Sequence, residues 1–183
     1  SVGTLTQLTK KNDGYRVEIA TGKLDLSDVK LGDSIASNGV CLTVVSVGGQ
    51  SFCADVSGET VSLTGFSHYS VGQVINLEKA VTPTTRLGGH MVSGHVDGRG
   101  TIERIEQQGN SWDYWISSPP ELMRYIALKG SITIDGISLT VNGLEDTSFR
   151  LTIVPHTSQE TTISQFAIGA KVNIEVDQIA RYL

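Results

Sequence analysis

Apolar and polar residues alternate along most of this chain. In Ser131-Ile132-Thr133-Ile134-Asp135, and again in Phe149-Arg150-Leu151-Thr152-Ile153, every second side chain is hydrophobic. That is the period of a half-buried strand, not the 3.6 of an amphipathic helix. Turn dipeptides punctuate these runs at Asn38-Gly39, Gly48-Gly49, Asp135-Gly136 and Glu145-Asp146, and the spacers between them have the length of strands. About six strands per 90 residues predict a small closed barrel, a shape that removes free sheet edges. Helix signals are few. Residues 24–29 and 119–126 are expected to form short helical turns at equivalent places, and the prolines of the second suit a helix start.

The pattern repeats. Sliding the sequence by 97 positions places Gly39 on Gly136, Leu42-Thr43-Val44 on Leu139-Thr140-Val141, Phe52 on Phe149, Asn76 on Asn173 and Glu78 on Glu175, without a gap. Such a register over some 80 residues marks two copies of one domain. The stretch 82–100, rich in Gly and Thr, contains the junction, and the boundary is placed near residue 90, giving domains 1–90 and 91–183. The fold class expected is all-β, a tandem repeat of two six-stranded barrels with short helical turns.

Composition narrows the function. The 183 residues carry a net charge of −5, and no cluster of Lys and Arg is present to neutralise phosphates, which argues against a nucleic-acid partner. No apolar run approaches the roughly 20 residues that cross a bilayer, and no signal peptide is visible at residue 1, so a soluble protein without a membrane partner is expected. Two cysteines, Cys41 and Cys53, make neither a disulfide framework nor a zinc site and fit a reduced, cytoplasmic setting. They fall on the two arms of a hairpin turning near Gly49, where Cys53 faces about residue 45 and not Cys41, so a bond between them would strain the ladder.

Candidate chemistry gathers on one strand face and one loop. After Asn38-Gly39, Leu42 and Val44 share one face and Cys41 and Thr43 the other, and the second copy repeats this with Leu139 and Val141 against Ser138 and Thr140. Small hydrogen-bonding groups are thus offered outward at the same place twice. Ser and Thr are ordinary on a solvated strand face, and Cys41 has no base beside it in sequence, so a semi-buried structural thiol is the plain reading of that residue. The loop Leu87-Gly-Gly-His-Met-Val-Ser-Gly-His-Val-Asp-Gly98 holds His90 and His95 among four glycines. Glycines let backbone approach something closely, and an imidazole suits general acid or base work near neutrality. A metal is not assigned, because His68 and His156 lie elsewhere without ligand spacing. Lys129 and Asp177 are single charges in apolar surroundings. Val56-Ser57-Gly58-Glu59-Thr60 and Ile153-Val154-Pro155-His156-Thr157 end strands at one repeat position in small polar groups placed to close over a ligand.

Four stretches carry a family resemblance: Ser34-Ile-Ala-Ser-Asn-Gly-Val-Cys-Leu-Thr43, Leu87-Gly-Gly-His-Met-Val-Ser-Gly-His-Val96, Lys129-Gly-Ser-Ile-Thr-Ile-Asp-Gly-Ile-Ser-Leu-Thr140 and Val172-Asn-Ile-Glu-Val-Asp177. Along nearly its whole length the chain resembles riboflavin synthase of the alpha-chain type, the lumazine-binding two-barrel family. The resemblance implies Greek-key barrels and a cofactor-free dismutation of two 6,7-dimethyl-8-ribityllumazine molecules to riboflavin and 5-amino-6-ribitylamino-2,4(1H,3H)-pyrimidinedione. It implies lumazine contacts from Cys41, Leu42, Thr43, Asp55, Val56, Ser57, Gly58, Glu59 and Thr60 in the first barrel. In the second they are Ser138, Leu139, Thr140, Val154, Pro155, His156, Thr157, Ser158 and Gln159. Gly94, His95, Val96 and Lys129 join these, and Ser34, Cys41, His95 and Asp177 match positions associated with activity, His95 being the candidate for proton transfer.

The family reading places an active site between the first barrel of one subunit and the second barrel of another, within a homotrimer. Family members open with a Met-Phe-Thr-Gly segment and close with a helix that builds the trimer. This chain begins just beyond that first segment, so the first barrel is expected to lack its opening strand; a homotrimer is expected with complete ends, and a monomer or loose dimer if the ends are trimmed. A non-catalytic lumazine- or flavin-binding optical accessory is the alternative. Against it, both copies keep the Ser/Cys-x-Thr strand and His95 is present. A purely structural module would need an apolar patch or charge stripe that the sequence does not show.

Overall fold

The computed structural model describes residues 1–183 as two closed antiparallel barrels. The first is built from β1 (Val2–Lys11), β2 (Gly14–Ala20), β3 (Ser34–Ser37), β4 (Val40–Gly48), β5 (Ser51–Val56) and β6 (Val74–Lys79). The second uses β7 (Gly98–Gln108), β8 (Ser111–Ser117), β9 (Ser131–Ile134), β10 (Ile137–Leu144), β11 (Ser148–Ile153) and β12 (Lys171–Val176). Around the first the order is β1-β2-β5-β4-β3-β6, and around the second β7-β8-β11-β10-β9-β12, the same Greek-key path twice. No helix is long and apolar enough to cross a membrane.

Each barrel closes over its own core. Leu5, Val17, Ile19, Ile35, Phe52 and Ile75 are sealed inside the first, and Ile102, Ile116, Ile132, Phe149, Leu151 and Ile174 inside the second. Six short strands must bend sharply to close, and both barrels do so with bulges at matching places. Register shifts between Leu5 and Gln7 and between Val44 and Ser46 return between Ile102 and Arg104 and between Val141 and Gly143. An extra residue there increases local twist without costing the inner face its alternation.

Two sequence expectations are corrected. The first barrel does not lack its opening strand: β1 pairs with both β2 and β6 and completes the cylinder. The stretch expected to supply that strand corresponds to Met91–Val96 in the second copy, and there it runs outside the barrel without regular structure. Residues 24–29 form no helix. The Asp25 carboxylate captures the backbone N–H of Ser27 at 2.9 Å and its hydroxyl at 2.8 Å, a local bond that competes with helical hydrogen bonding. The equivalent stretch does contain a helical turn, α2 (Pro120–Met123), and three further short helices follow strands: α1 (Gly58–Leu63), α3 (Pro155–Glu160) and α4 (Gln178–Tyr182).

The barrels meet at two tight turns. Asn38-Gly39 and Asp135-Gly136 all have positive φ, the backbone of a type I′ hairpin. A Cβ on Gly39 would sit 2.8 Å from the Gly136 nitrogen, and one on Gly136 would sit 2.8 Å from the Gly39 nitrogen. Only glycine allows the turns to touch. Around them a buried polar network crosses the interface almost symmetrically. Asn76 Nδ2 donates to Asp135 O and Asn173 Nδ2 to Asn38 O, both at 2.9 Å, while Asn76 Oδ1 accepts Thr162 N–H and Asn173 Oδ1 accepts Gly65 N–H. The pattern departs from symmetry where Asn38 faces Asp135, where Thr162, whose hydroxyl also accepts from Asn76 at 2.9 Å, has Gly65 as its counterpart, and where Tyr69, whose hydroxyl accepts from Asn38 at 2.9 Å, has Phe166.

Candidate functional site

The junction between barrels is not a slack linker. From Ala80 it folds back and crosses the outer faces of both, closing a cavity of about 420 Å³ with Ser34, Ala36 and Cys41 on one side and Gly136 and Ser138 on the other. The alternation read from sequence holds on β4, where Leu42 and Val44 are buried in the barrel and Cys41 and Thr43 face out. On β10 Val141 is fully buried and Leu139 packs against the core, leaving Ser138 and Thr140 outward.

Contacts pin the junction at four points. His90 bonds Ser138 Oγ through Nδ1 at 2.6 Å and Thr133 Oγ1 through Nε2 at 3.1 Å. Ser93 donates both its backbone N–H and its hydroxyl to Glu175 Oε1 at 2.8 Å. Gly94 O accepts the Cys41 N–H at 2.8 Å. Asp97 Oδ2 accepts the Val176 N–H at 2.8 Å and pairs with Arg181 at 2.9 Å. Gly94 has φ +78, and a Cβ there would meet Cys41 Cβ at 2.7 Å, so the glycine that the motif carries is what lets the strap lie flat on Cys41.

Of the sequence candidates, Ser34, Cys41, Gly94 and Ser138 come together around this cavity. His95 does not line it. Its ring is exposed beside Gly94 and makes no hydrogen bond within the chain, whereas the partner imidazole His90, half-buried, has both nitrogens engaged. Leu42 and Val56 point into the core, so only their backbone is offered outward. Thr43 and Asp55 face solvent on adjacent strands, and hydrogen bonds from Arg16 and Lys11 hold the Asp55 carboxyl well below the usual carboxylate range. Ser57 caps α1 by accepting the Thr60 N–H at 3.2 Å, with Gly58 and Glu59 in its first turn. Val154 precedes α3, which carries Pro155, His156, Thr157, Ser158 and Gln159 at the matching place in the second barrel. Thr140 is exposed on β10. Val96 packs against the core of the first barrel, not that of its own.

Two charged candidates have other placements. Asp177 caps α4 by accepting the Ile179 N–H at 3.1 Å. Lys129 is exposed at φ +66, the left-handed conformation that its counterpart Gly32 also holds, and its N–H donates to Val141 O at 2.8 Å. A lysine where the repeat admits glycine keeps a cost of order 1 kcal/mol, a kind of strain that concentrates at functional sites. Both cysteines are free, and Cys53 lies opposite Ser46 on the outer face, as the hairpin arithmetic required.

Sequence reasoning passed over Glu175 and the tie made by His90. Glu175 is buried on β12 beneath the junction with its second oxygen unpartnered, and a glutamate set between apolar Ile174 and Val176, recurring as Glu78 in the first copy, was the available signal.

The family model for the lumazine binding domain matches twice, over residues 1–80 and 93–177. Among curated proteins, riboflavin synthase of Photobacterium phosphoreum is 52% identical over 183 residues, covering all of this chain and 84% of that protein. Riboflavin synthase of Bacillus subtilis (strain 168) is 44% identical, covering 99% of this chain and 84% of that protein. Among solved structures, LumP complexed with riboflavin superposes with a TM-score of 0.88 at 26% identity, covering 96% of this chain and 95% of that one. LumP complexed with 6,7-dimethyl-8-(1'-D-ribityl) lumazine gives a TM-score of 0.86 at 25% identity, with the same coverage.

Proposed function

Because the chain belongs to the lumazine-binding-domain family, and within it to the riboflavin synthases, we propose that it converts two molecules of 6,7-dimethyl-8-ribityllumazine to riboflavin and 5-amino-6-ribitylamino-2,4(1H,3H)-pyrimidinedione. One observation carries the reading. Cys41 and Ser138, 97 residues apart, stand at the same register of two barrels, face outward, and are both touched by the junction. A reaction between two copies of one substrate is served by two copies of one binding strand.

The chemistry asks little of the protein beyond placement. The C7 methyl of a lumazine is acidic, so loss of its proton gives a carbon nucleophile that attacks the second ring, after which a four-carbon unit passes from one molecule to the other. Holding both rings in one geometry supplies roughly 7 to 11 kcal/mol of the barrier. We assign proton transfer to His95, whose free imidazole sits one residue beyond the Gly94 carbonyl that binds the Cys41 N–H. His90, with both nitrogens engaged, holds the junction. Cys41 and Ser34 hydrogen-bond or transiently activate the acceptor. Asp177, at the rim of the second barrel, and Lys129 complete the set of charged groups. Thr43, the Asp55–Thr60 stretch and the Val154–Gln159 stretch bind the substrate.

Thr43, Asp55 and α1 leave an exposed face on the first barrel, which fits an active site that a second subunit completes and supports the homotrimer of the family reading; a cytoplasmic location is part of the same proposal. The division into residues 1–90 and 91–183 is part of the same proposal. The testing experiment adds 6,7-dimethyl-8-ribityllumazine to the purified protein and follows riboflavin absorbance, with Cys41→Ala and Ser138→Ala as controls. Riboflavin formation, lowered by either substitution, is expected. Tight lumazine binding with no riboflavin formed would favour the optical-accessory reading that the LumP likeness carries.

A further inference from the structure

Positive charge gathers at the edge of the seam between the barrels. On the outer face of the second barrel, Lys171 of β12 pairs with Thr101 of β7 and Asn173 with Arg99, which makes Arg99 and Lys171 diagonal neighbours across two antiparallel strands. Asn173, beside both, is covered by the first barrel, whose 3-10 turn Gly65–Ser67 donates the Gly65 N–H to Asn173 Oδ1 at 2.8 Å. That contact brings Ser67 and His68 onto the same patch. Arg99 donates to Ser67 Oγ and Lys171 to Thr101 Oγ1, both at 2.6 Å, and neither cation is paired with a carboxylate.

The fold does not require these charges. The 97-residue counterparts of Arg99, Lys171 and His68 are Val2, Val74 and Gln165, so the matching strand pair, β1 and β6, meets there without any. The cations also act on their neighbour: burial, then the Arg99 guanidinium and the Lys171 ammonium, hold the His68 imidazole below its ordinary value. Like charges kept together with no counter-ion in the chain are favoured by an anion from outside it. A cavity of about 370 Å³ lies against them, lined in part by Arg99 and Lys171, by apolar Leu63 and Pro119, and by Asp97 and Glu121. Asp97 is already neutralised by Arg181 and the Val176 N–H, while Glu121 is exposed and has no ion pair.

We propose that this cavity binds the phosphate monoester of a small organic molecule. Ser67, whose own hydroxyl donates to Thr64 O at 3.0 Å, fixes the guanidinium through Nη1, which leaves Nε and Nη2 of Arg99 to grip two phosphate oxygens as a fork. Lys171 supplies the second positive charge. A dianion answers two cations set side by side, and once bound it lets His68 take up a proton as a third. Leu63, 43% exposed, and Pro119 give the organic part of the ester an apolar surface that free phosphate has no use for. None of the residues that line this cavity is among the lumazine contacts assigned above, so the site is independent of that reaction.

Phenyl phosphate is titrated against the 183-residue protein at an ionic strength held constant with sodium chloride. The ring resonances of His68, identified by their loss in His68→Gln, are followed by NMR. A saturable shift is expected, with the imidazole titrating at a higher pH than in chloride alone. Arg99→Val and Lys171→Val install the residues that the first copy already holds at those strand positions, and each is expected to weaken binding at least about tenfold through the loss of a charge-assisted contact. Glu121→Gln, which removes a like charge from the cavity, is expected to tighten it. No saturable shift beyond that in chloride would overturn the proposal, and so would an affinity that neither valine variant changes. Inorganic phosphate bound as tightly as phenyl phosphate would overturn the assignment to a monoester.

Discussion

Replacing Asp135 by asparagine tests the polar seam between the barrels quantitatively. Asp135 is buried in its turn with Oδ1 accepting the Asn173 N–H at 2.7 Å, and burial pushes its carboxyl up to about 7 from an ordinary 3.8. The folded protein therefore holds a proton that the unfolded chain releases, and its stability falls as pH rises through that interval and levels off above about 7. The gap corresponds to about 4 kcal/mol in all, or about 1.4 kcal/mol per pH unit. Asp135→Asn keeps the acceptor and copies the residue that already stands at Asn38. Its new amide N–H₂ lacks the phenol that Tyr69 offers Asn38, because Phe166 stands at that place, and an unmet buried donor costs about 1–3 kcal/mol at every pH. The variant is thus expected to be less stable than wild type near pH 4 and more stable above pH 7. Urea unfolding from pH 4 to 8 measures this, followed by the fluorescence of Trp112 and Trp115, both on β8 of the same barrel. Unfolding free energies of the two proteins that run parallel across the range would refute the reasoning.

Two further outcomes follow from the same geometry. Gly39→Ala puts a methyl 2.8 Å from the Gly136 nitrogen at φ +79 and is expected to lower stability by about 2 kcal/mol or more, read by thermal or urea unfolding. Gly49→Ala, also at positive φ but with open space around it, bears the conformational cost alone, and an equal loss in both would deny the contact between turns. His95→Ala is expected to reduce kcat at unchanged stability, whereas His90→Ala, which releases Ser138 and Thr133, is expected to lower stability as well. Riboflavin formation and a melting curve on each variant separate the two roles.

The barrels were legible in the sequence because what builds them is local. Asn-Gly and Asp-Gly turns, period-two runs and the recurrence of Leu42-Thr43-Val44 as Leu139-Thr140-Val141 each speak for the few residues around them, and the repeat makes them agree. The strap was not legible. Residues 87–98 have no hydrophobic period, and the Ser93 tie to Glu175 spans 82 residues, so nothing nearby announces that the stretch is fixed. The same reason explains the preference for strand over loop at the opening of the first barrel. Residues 24–29 misled in the opposite direction, since their apolar spacing suits a helix and the Asp25 side chain overrides it. His90 and His95 look alike in sequence, and only the long-range contacts with Ser138 and Thr133 tell them apart.

The contact between Gly39 and Gly136 has the form of a twofold axis that passes through a single chain. Each half meets the other with the same turn, the same asparagine and the same carbonyl, as two identical molecules would in a symmetric dimer. Joining the halves frees them from one obligation: a substitution no longer appears on both sides at once. The positions at the axis stay matched because each glycine is the other's steric limit. Away from it the halves have drifted, as Cys41 from Ser138, Tyr69 from Phe166 and Gly32 from Lys129. The two copies of the outward strand are no longer equivalent, an asymmetry that an assembly of identical single barrels, bound to change both together, has no means to reach.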